Sequence, residues 1–488
     1  MPANTGQLRR MWSEGSAILL GAAIALWMAI HAAQGEYSLV AFGVVGLFAV
    51  AWTFLARETW WIILPVAAVF GGRLNFGFKL YTNEIALLLC LLPLIPMAAM
   101  HKSVAVRRSP VPRSVYLLLG YVLLHCLINT YLALEEDLGG FWNIQRVYSR
   151  AVWPLVFAIA FYRHGNVRYL RHTLILMYTA AFLANLIGAF GYGGLWGDLW
   201  MQSPIVLPGM IDEGFELRTS GLWLAYLSVA FLGFSKTRAQ KLFHLAMTLL
   251  SGCFIFMGGS RASFGMFLTL VVLLAAFQRR WVMLVSLVAL ITAGIAGLNL
   301  YPDAVKALPF RVQRTVSVVV LDNPYHDLHL MAEGSDLWHY SLTRMGAERW
   351  LRSPLHVCFG NRLYPHPEMN AFAPLDPNKF WDRMWAAAEM GYYESGLWAT
   401  LAVLGGVCMT LYIVLFWALL RDVVPVVWRE GISDYPNVVG FLAISSLCIW
   451  VVFSWIAGHF PSEPLMLAVI ARVAILDRAA GAKSAKET

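Results

Sequence analysis

The chain has few charged residues and lacks the motifs of soluble, nucleotide-driven enzymes. Only 13% of its 488 residues are Asp, Glu, Lys or Arg, whereas 59% are hydrophobic. It contains no Gly-x-x-x-x-Gly-Lys phosphate loop, no Gly-x-Ser-x-Gly elbow, no His-Glu-x-x-His helix and no Asp-x-Asp pair. The composition excludes a soluble enzyme, and the missing motifs argue against a reaction driven by a bound nucleotide.

Cysteine is also scarce, and no spacing pairs one cysteine with another. Five of the six cysteines fall in apolar runs, and Cys358 alone lies in a polar stretch. No Cys-x-x-Cys exists, so neither a disulfide framework nor a zinc site is predicted. His326 and His329 have the spacing of half a metal site, but no second pair follows. We therefore expect no metal and no cofactor.

What the chain does have is a series of apolar runs, each long enough to cross a bilayer as a helix. Uninterrupted runs exclude a membrane β-barrel, whose strands alternate. We predict an all-α polytopic membrane protein with about fourteen spans. They lie near residues 15–34, 37–56, 58–72, 81–100, 114–133, 149–163, 172–192, 219–235, 240–258, 262–278, 281–300, 396–420, 437–458 and 462–477.

Basic residues in the short connections predict the orientation. If both termini are cytoplasmic, most of the Lys and Arg residues fall on the inner side, as the positive-inside rule requires. The short outer loops then hold six basic residues, namely Arg73, Lys79, Arg146, Arg150, Arg218 and Arg261. The net charge of +8 is dispersed over many inner loops that face anionic lipid, so nucleic acid is not an expected partner.

One long polar interval, from residue 301 to about 390, interrupts the apolar pattern and is predicted to face the exterior. The predicted domains are therefore eleven spans in residues 1–300, a large partly helical outer loop in 301–391, and three spans with a cytoplasmic tail in 392–488. Chemistry is expected on or under this loop.

The outer arginines are the first candidates for a functional site. Arg218 precedes the eighth predicted span, and Arg261 lies in the turn between the ninth and tenth. Guanidinium groups at headgroup depth suit a lipid-linked diphosphate, because the planar fork binds phosphate oxygens bidentately. Ordinary snorkelling at the membrane interface is the alternative interpretation.

Further candidates lie within the loop. Arg311 and Arg314 are three residues apart, on one face of a helix if that segment is helical. Residues 336–352 have a helical pattern, in which Arg349 projects on the apolar side and is a phosphate candidate. His366, between two prolines, is a candidate general base.

The row Arg344, Glu348 and Arg352 steps along another face of the 336–352 helix at intervals of four residues. Such a row is most simply a ladder of surface ion pairs. Pro354 is predicted to end the helix.

The pattern resembles the O-antigen polymerase and O-antigen ligase superfamily of bacterial membrane glycosyltransferases. The resemblance covers roughly residues 210–420. It rests on RTSGLW at 218–223, on the Ser-Arg turn GSRASFG at 259–265, and on the loop from 338 to 360 followed by ESGLW at 394–398.

The resemblance implies a GT-C-like fold in the bacterial inner membrane and transfer of a glycan from undecaprenyl diphosphate to an acceptor hydroxyl, without metal or nucleotide. Arg218 and Arg261 carry over as ligands of the donor diphosphate, with Arg311, Arg314 and Arg349 as further candidates. Ligases place a histidine shortly before the last helices, where this chain has Trp385-Ala386. This difference favours a polymerase.

Without that histidine, other residues are needed as the base. His366 and Glu394 are the predicted catalytic residues, with Asp382 and Glu389 as substitutes. Expected partners are the lipid-linked glycan, membrane lipids, and a flippase and chain-length regulator of the same pathway.

Two alternatives remain open. A ligase would transfer the glycan to lipid A core, and a flippase or other transporter would only move it. Transporters tend to have charges at the membrane midplane and broken helices. Here the ionisable residues of the membrane interior, away from the span ends, are few, namely His125 and Arg472, with Glu84 nearer an outer boundary. An enzyme acting at the outer interface is therefore preferred.

Overall fold

The computed structural model describes the chain in separate stretches. They are residues 26–30, 33, 59–70, 73–75, 79–81, 86–87, 90, 110–135, 141–191, 217–258, 260–301, 303, 305, 313, 316, 320, 326–363, 380–455, 458 and 460–487. Within them the regular structure is helical, apart from one short antiparallel hairpin in which β1 (Arg73–Asn75) pairs with β2 (Lys79–Tyr81). The hairpin was not predicted.

The helices follow the apolar runs. They are α1 (Ile63–Phe70), α2 (Arg113–Glu135), α3 (Phe141–His164), α4 (Leu170–Gly191), α5 (Leu217–Phe234), α6 (Arg238–Met257), α7 (Arg261–Phe277), α8 (Trp281–Leu300), α9 (His326–Trp350), α10 (Pro354–Phe359), α11 (Phe380–Glu389), α12 (Gly396–Leu420), α13 (Val424–Glu430), α14 (Tyr435–Phe453) and α15 (Ser462–Glu487). Short 3₁₀ turns precede α1 and α4, at Trp60–Ile62 and Val167–Tyr169. Most of the predicted spans coincide with one of these helices.

Side-chain caps fix several of the helix starts. Thr237 and Gln240 form a reciprocal capping box at the start of α6. The side chains of Ser260, Ser395 and Asp434 accept hydrogen bonds from the first turns of α7, α12 and α14. The sequence therefore specifies where the apolar helices begin, and not only their length.

Four helical segments in the described residues are long and apolar enough to cross a membrane. They are Arg113–Leu134, Arg238–Phe256, Gly396–Leu420 and Tyr435–Phe453, with mean hydropathies between 1.3 and 2.3. Four shorter apolar helices, of 10–17 residues, accompany them. The described residues therefore form a helical protein suited to a membrane, and four of their helices are long and apolar enough to span it, fewer than the fourteen spans predicted for the chain. The predicted spans 15–34, 37–56 and 81–100 lie largely outside the described residues.

By packing, the chain divides into two compact units: residues 1–108 with 163–224, and residues 109–162 with 225–488. In the first unit, Trp60 and Trp61 are fully buried. Their indole nitrogens donate to the carbonyl oxygens of His164 and Asn166, at 3.3 and 3.2 Å. Ser220 donates to the Asn185 side chain at 3.2 Å, which joins α5 to α4. The predicted division at 300 and 391 concerns topology, and it stays a prediction.

In the second unit, several helix ends meet at one side, here called the Ser395 end. The Ser395 hydroxyl and the Leu397 amide at the start of α12 both donate to the Ser454 carbonyl, just beyond α14. A Cβ at Gly265, near the start of α7, would lie 2.9 Å from the Phe453 ring, so α7 and α14 are in close contact.

The opposite ends of these helices meet at a second cluster, here called the Arg472 end. The Arg472 guanidinium is buried and donates to Asp422 and to the Tyr162 hydroxyl, both at 2.9 Å. At the end of α7, the Phe277 ring packs against Trp428. The positive-inside rule predicts that successive helices alternate in direction. This packing is consistent with that alternation, because the helix ends predicted to be on the outer side lie next to one another. That the Ser395 end faces the exterior stays a prediction.

The predicted helix at 336–352 is confirmed but begins ten residues earlier, at His326. Arg344 and Glu348 pair at 2.7 Å with both side chains more than half exposed, which is the first pair of the predicted ladder, whereas Arg352 lies beyond the end of the helix. α9 already ends at Trp350, and Pro354 is the first residue of α10 instead. Proline suits that position because its missing N–H would have no partner in the first turn.

Candidate functional site

The candidate site lies at the Ser395 end, where α9, the end of α11 and the turn into α12 meet. The turn has unusual backbone geometry, since Gly391 has φ of 81° and Glu394 has φ of 52°. A non-glycine residue in this left-handed region is strained by about 1 kcal/mol or more. Such strain at Glu394 is compatible with a functional residue held in place by its neighbours.

Arg349 is fixed by three groups around this turn. Its guanidinium donates to the Ala388 carbonyl at 2.9 Å and lies 3.5 Å from the Glu389 carboxylate, and only 18% of its side chain is exposed. It also hydrogen-bonds Tyr393; burial raises the pKa of that phenol, and the nearby Arg349 offsets part of the rise. Arg349 is therefore on the packed face of α9, as predicted.

Glu394 faces two residues of α9. The Trp338 indole nitrogen donates to its carboxylate at 3.1 Å, and His339 Nδ1 lies 3.5 Å from the same oxygen. Both members of the His339–Glu394 pair remain accessible, with 40% and 47% of their side chains exposed. A carboxylate on the Nδ1 side of an imidazole, with Nε2 directed away from it, is the order of groups found in oriented general bases.

His339 was missed by the sequence reasoning as a site residue. Its only sequence signal was membership of the histidine-rich loop, because its partner lies 55 positions further along the chain. Glu389, predicted as a substitute base, lies 3.5 Å from the Arg349 guanidinium instead.

Arg261 belongs to the same end of the second unit. It is the first residue of α7 and is half-buried, and Ser260 caps the helix by accepting from the Ser263 amide at 3.2 Å. Gly265, one turn further, packs on Phe453, whose neighbour Ser454 is hydrogen-bonded to Ser395. The structure thus brings Arg261, Arg349 and Glu394 to one end of the helices.

The other predicted site residues are not brought together in this way. Arg218 is the second residue of α5, in the first unit, and its side chain lies outside the described residues. Its expected convergence with Arg261 stays a prediction. Arg311, Arg314 and His366 also lie outside the described residues.

A small cleft adjoins the Arg349 cluster. It is lined by Val147, Arg150, Gly391, Tyr392, Tyr393, Ala399 and Phe460, and its free space of about 10 Å³ holds about one water molecule. Arg150 was counted among the predicted outer basic residues, and here it lines the cleft next to Tyr393. The cleft as it stands has no room for a sugar ring.

No metal centre is formed by the part of the chain that the structure describes, since no three His, Cys, Asp or Glu side chains there come close enough to hold an ion. The expectation of metal-independent chemistry stays a prediction. What the arrangement offers chemically is an accessible imidazole–carboxylate pair, His339 and Glu394, on the side of α9.

The comparisons with known proteins leave the family open. No protein-family model matches the chain, and no curated protein is significantly similar to it. The resemblance to the O-antigen polymerases and ligases therefore rests on the residues quoted for it.

Proposed function

We propose that the protein is a membrane glycosyltransferase of the polymerase type, which transfers a glycan from undecaprenyl diphosphate to a sugar hydroxyl of another lipid-linked glycan. The observation that carries the proposal is the His339–Glu394 pair, in which Glu394 belongs to the same Ser395 end as Arg349 and Arg261, while His339 lies about 15 Å before Arg349 along α9. A base and fixed cations on one surface are what an acceptor hydroxyl and a diphosphate leaving group need.

In the proposed reaction, His339 Nε2 takes the proton of the acceptor hydroxyl as its oxygen attacks the anomeric carbon of the donor. Glu394, oriented by the Trp338 indole, holds Nδ1 and stabilises the imidazolium that forms. The bond between the anomeric carbon and the diphosphate breaks, and the lipid diphosphate leaves with the bonding electrons. Arg261 stabilises the charge that develops on it, and the anomeric configuration is inverted.

The proposal includes the finer topology: about fourteen spans, cytoplasmic termini, and a loop at 301–391 in the periplasm of the bacterial inner membrane. On this orientation the Ser395 end faces the periplasm, where no nucleotide is available. A donor already activated by its diphosphate suits that location. A flippase that delivers the donor and a chain-length regulator are the partners that such a polymerase would need.

A transporter is the second candidate, and one observation favours it. α12 is interrupted at Gly405, with φ of 77° and ψ of 176°, and interrupted spans form the ligand sites of many transporters. A ligase would use the same chemistry with a different acceptor, and its products distinguish it.

Conversion of Glu394 to glutamine and of His339 to alanine tests the proposed base. Each change is expected to lower the rate of glycan transfer by about 10²–10⁴-fold, because general base catalysis contributes about that much. The double variant is expected to be no slower than His339→Ala alone, since the two residues act as one unit. The measurement is the initial rate of lipid-linked glycan elongation by purified protein.

The matched control is Glu348→Gln on the same helix, where the carboxylate pairs only with the exposed Arg344 among the contacts described. This variant is expected to keep the full rate, because exposed ion pairs contribute little. Normal rates in both His339→Ala and Glu394→Gln would remove these residues from the mechanism.

A further inference from the structure

The segment Ser353 to Leu363, which includes α10, packs along the side of α2 rather than over its end. His125 Nε2 lies 2.6 Å from the Phe359 carbonyl, and the Leu363 amide donates to the Asn129 side chain at 3.0 Å. Because a carbonyl only accepts, Nε2 carries the proton, and Nδ1 then accepts from the Tyr148 hydroxyl at 2.6 Å.

The same segment fits into the break of α12. Asn361 donates through both its amide and its side chain to the Ala402 carbonyl, at 2.7 and 2.8 Å. A Cβ on Gly360 would collide with the Val403 carbonyl, and one on Gly405 would collide with the Cys358 carbonyl. Two glycine backbones are therefore in direct contact at this point, and α12 is interrupted where the segment meets it.

The position of His125 on α2 gives the depth of this contact. The apolar segment of α2, Arg113–Leu134, has 22 residues, which is about the thickness of the hydrocarbon core. His125 lies nine residues before Leu134, or about 14 Å along the axis. When α2 spans a hydrocarbon core about 30 Å thick, the Phe359 carbonyl bound to His125 therefore lies close to the middle of that core.

The exposed side chains of the segment fit such a location. Leu355 and Phe359, four residues apart, are 71% and 50% exposed. Several of its polar backbone groups, in contrast, have partners: Gly360 N–H donates to His356 O, the Phe359 carbonyl and the Leu363 amide bind α2, and the Asn361 amide binds α12. Irregular backbone at membrane depth is tolerated under this condition.

The segment also begins and ends at the Ser395 end. Before it, the Trp350 indole on α9 donates to the Val357 carbonyl at 3.0 Å, and its ring packs on Trp398 in the first turn of α12. After it, Leu363 contacts the position of Gly391 in the turn that leads to Ser395.

We infer that Ser353 to Leu363 is a re-entrant segment, which enters the hydrocarbon core between α2 and α12, reaches its middle near Phe359 and returns to the same side. The polar interval predicted as one outer loop therefore has a part within the membrane. This inference does not depend on the proposed reaction or on which side is the exterior.

The depth of the Cys358 side chain in a lipid bilayer tests whether the segment is re-entrant. The full-length protein, with its other five cysteines replaced by alanine, is labelled at Cys358 with an environment-sensitive fluorophore and reconstituted in phosphatidylcholine–phosphatidylglycerol vesicles. Leu127→Cys, 66% exposed on the lipid face of α2, provides the deep reference. Arg344→Cys, at a position 67% exposed on α9, provides the aqueous one. In each reference variant Cys358 is alanine.

The label on Cys358 is expected to match the Leu127→Cys label. For both labels, lipids with a nitroxide deep in the acyl chain are expected to quench the fluorescence several-fold more than lipids with a nitroxide on the headgroup. Aqueous iodide is expected to quench neither label. Quenching by iodide to the level of the Arg344→Cys label, or strongest quenching by headgroup nitroxides, would overturn the inference. Monodisperse elution of each labelled protein establishes that it is folded.

Discussion

Cells that carry Arg261→Ala are expected to lose long glycan chains almost completely while keeping near-normal amounts of the protein in the membrane. Removing one preorganised donor to a developing negative charge typically costs about 10²–10³-fold in rate. The fold is expected to survive, because the cap of α7 is formed by Ser260 and Ser263 rather than by the arginine side chain. Alanine is moreover a good helix former.

Arg238→Ala is the matched control for this change. Arg238 is the first residue of α6, as Arg261 is of α7, but it begins a helix at the predicted cytoplasmic side and its side chain is exposed. Cells with Arg238→Ala are expected to make polymer of normal length. Full-length polymer in Arg261→Ala cells, measured by gel electrophoresis of the extracted glycan, would exclude Arg261 from the proposed mechanism.

Gly405→Ala and Gly360→Ala are expected to destabilise the protein strongly. Both residues have backbone angles that only glycine adopts readily, with φ of 77° and 78°, which alone costs about 1–3 kcal/mol for alanine. The added Cβ would also collide with a backbone carbonyl that no rotamer change can move. Separation of α2, α10 and α12 would follow.

Gly431→Ala separates these two effects. Gly431 has a similar φ of 66° and ψ of −161°, but a Cβ there would meet nothing within 4 Å. The unfolding temperature of the Gly431→Ala protein in detergent, measured by fluorescence-detected size exclusion, is expected to fall only by the amount that corresponds to the unfavourable backbone angles of alanine. If Gly405→Ala and Gly431→Ala unfold at the same temperature, the close contact of Gly360 and Gly405 contributes no stability.

Much of the helical fold could be predicted from the sequence, because apolar runs and their caps are local signals. Ser395 next to Gly396 and Asp434 next to Tyr435 mark helix starts that the structure bears out within a few residues. α9 was predicted too short, since its polar first ten residues carry no apolar periodicity and depend on context.

Long-range pairings had no such signal. Arg349 could be placed on the packed face of its helix from spacing alone, but its contacts with Ala388 and Glu389 could not. Likewise, nothing local connects His339 with Glu394, or Phe359 with His125. Arg472, which sequence places near the end of a span, proves to be buried against Asp422 and Tyr162. Such pairs are set by how the helices pack, which hydrophobic periodicity does not encode.

The break of α12 was also unpredictable. Gly405 and Gly406 lie in an apolar run that otherwise predicts a straight span, and glycine within such helices is common. The left-handed backbone at Gly405 is needed only because another segment occupies the adjacent space. That segment comes from a stretch that sequence reasoning had placed outside the membrane.

The most direct test of the proposed function is reconstitution of the purified protein in vesicles with a single substrate, an undecaprenyl-diphosphate-linked glycan repeat, and with a chelator in place of metal and nucleotide. The account predicts a ladder of longer lipid-linked glycans together with released undecaprenyl diphosphate, both lost in His339→Ala. Substrate that stays unelongated, or that merely crosses the bilayer, would contradict it.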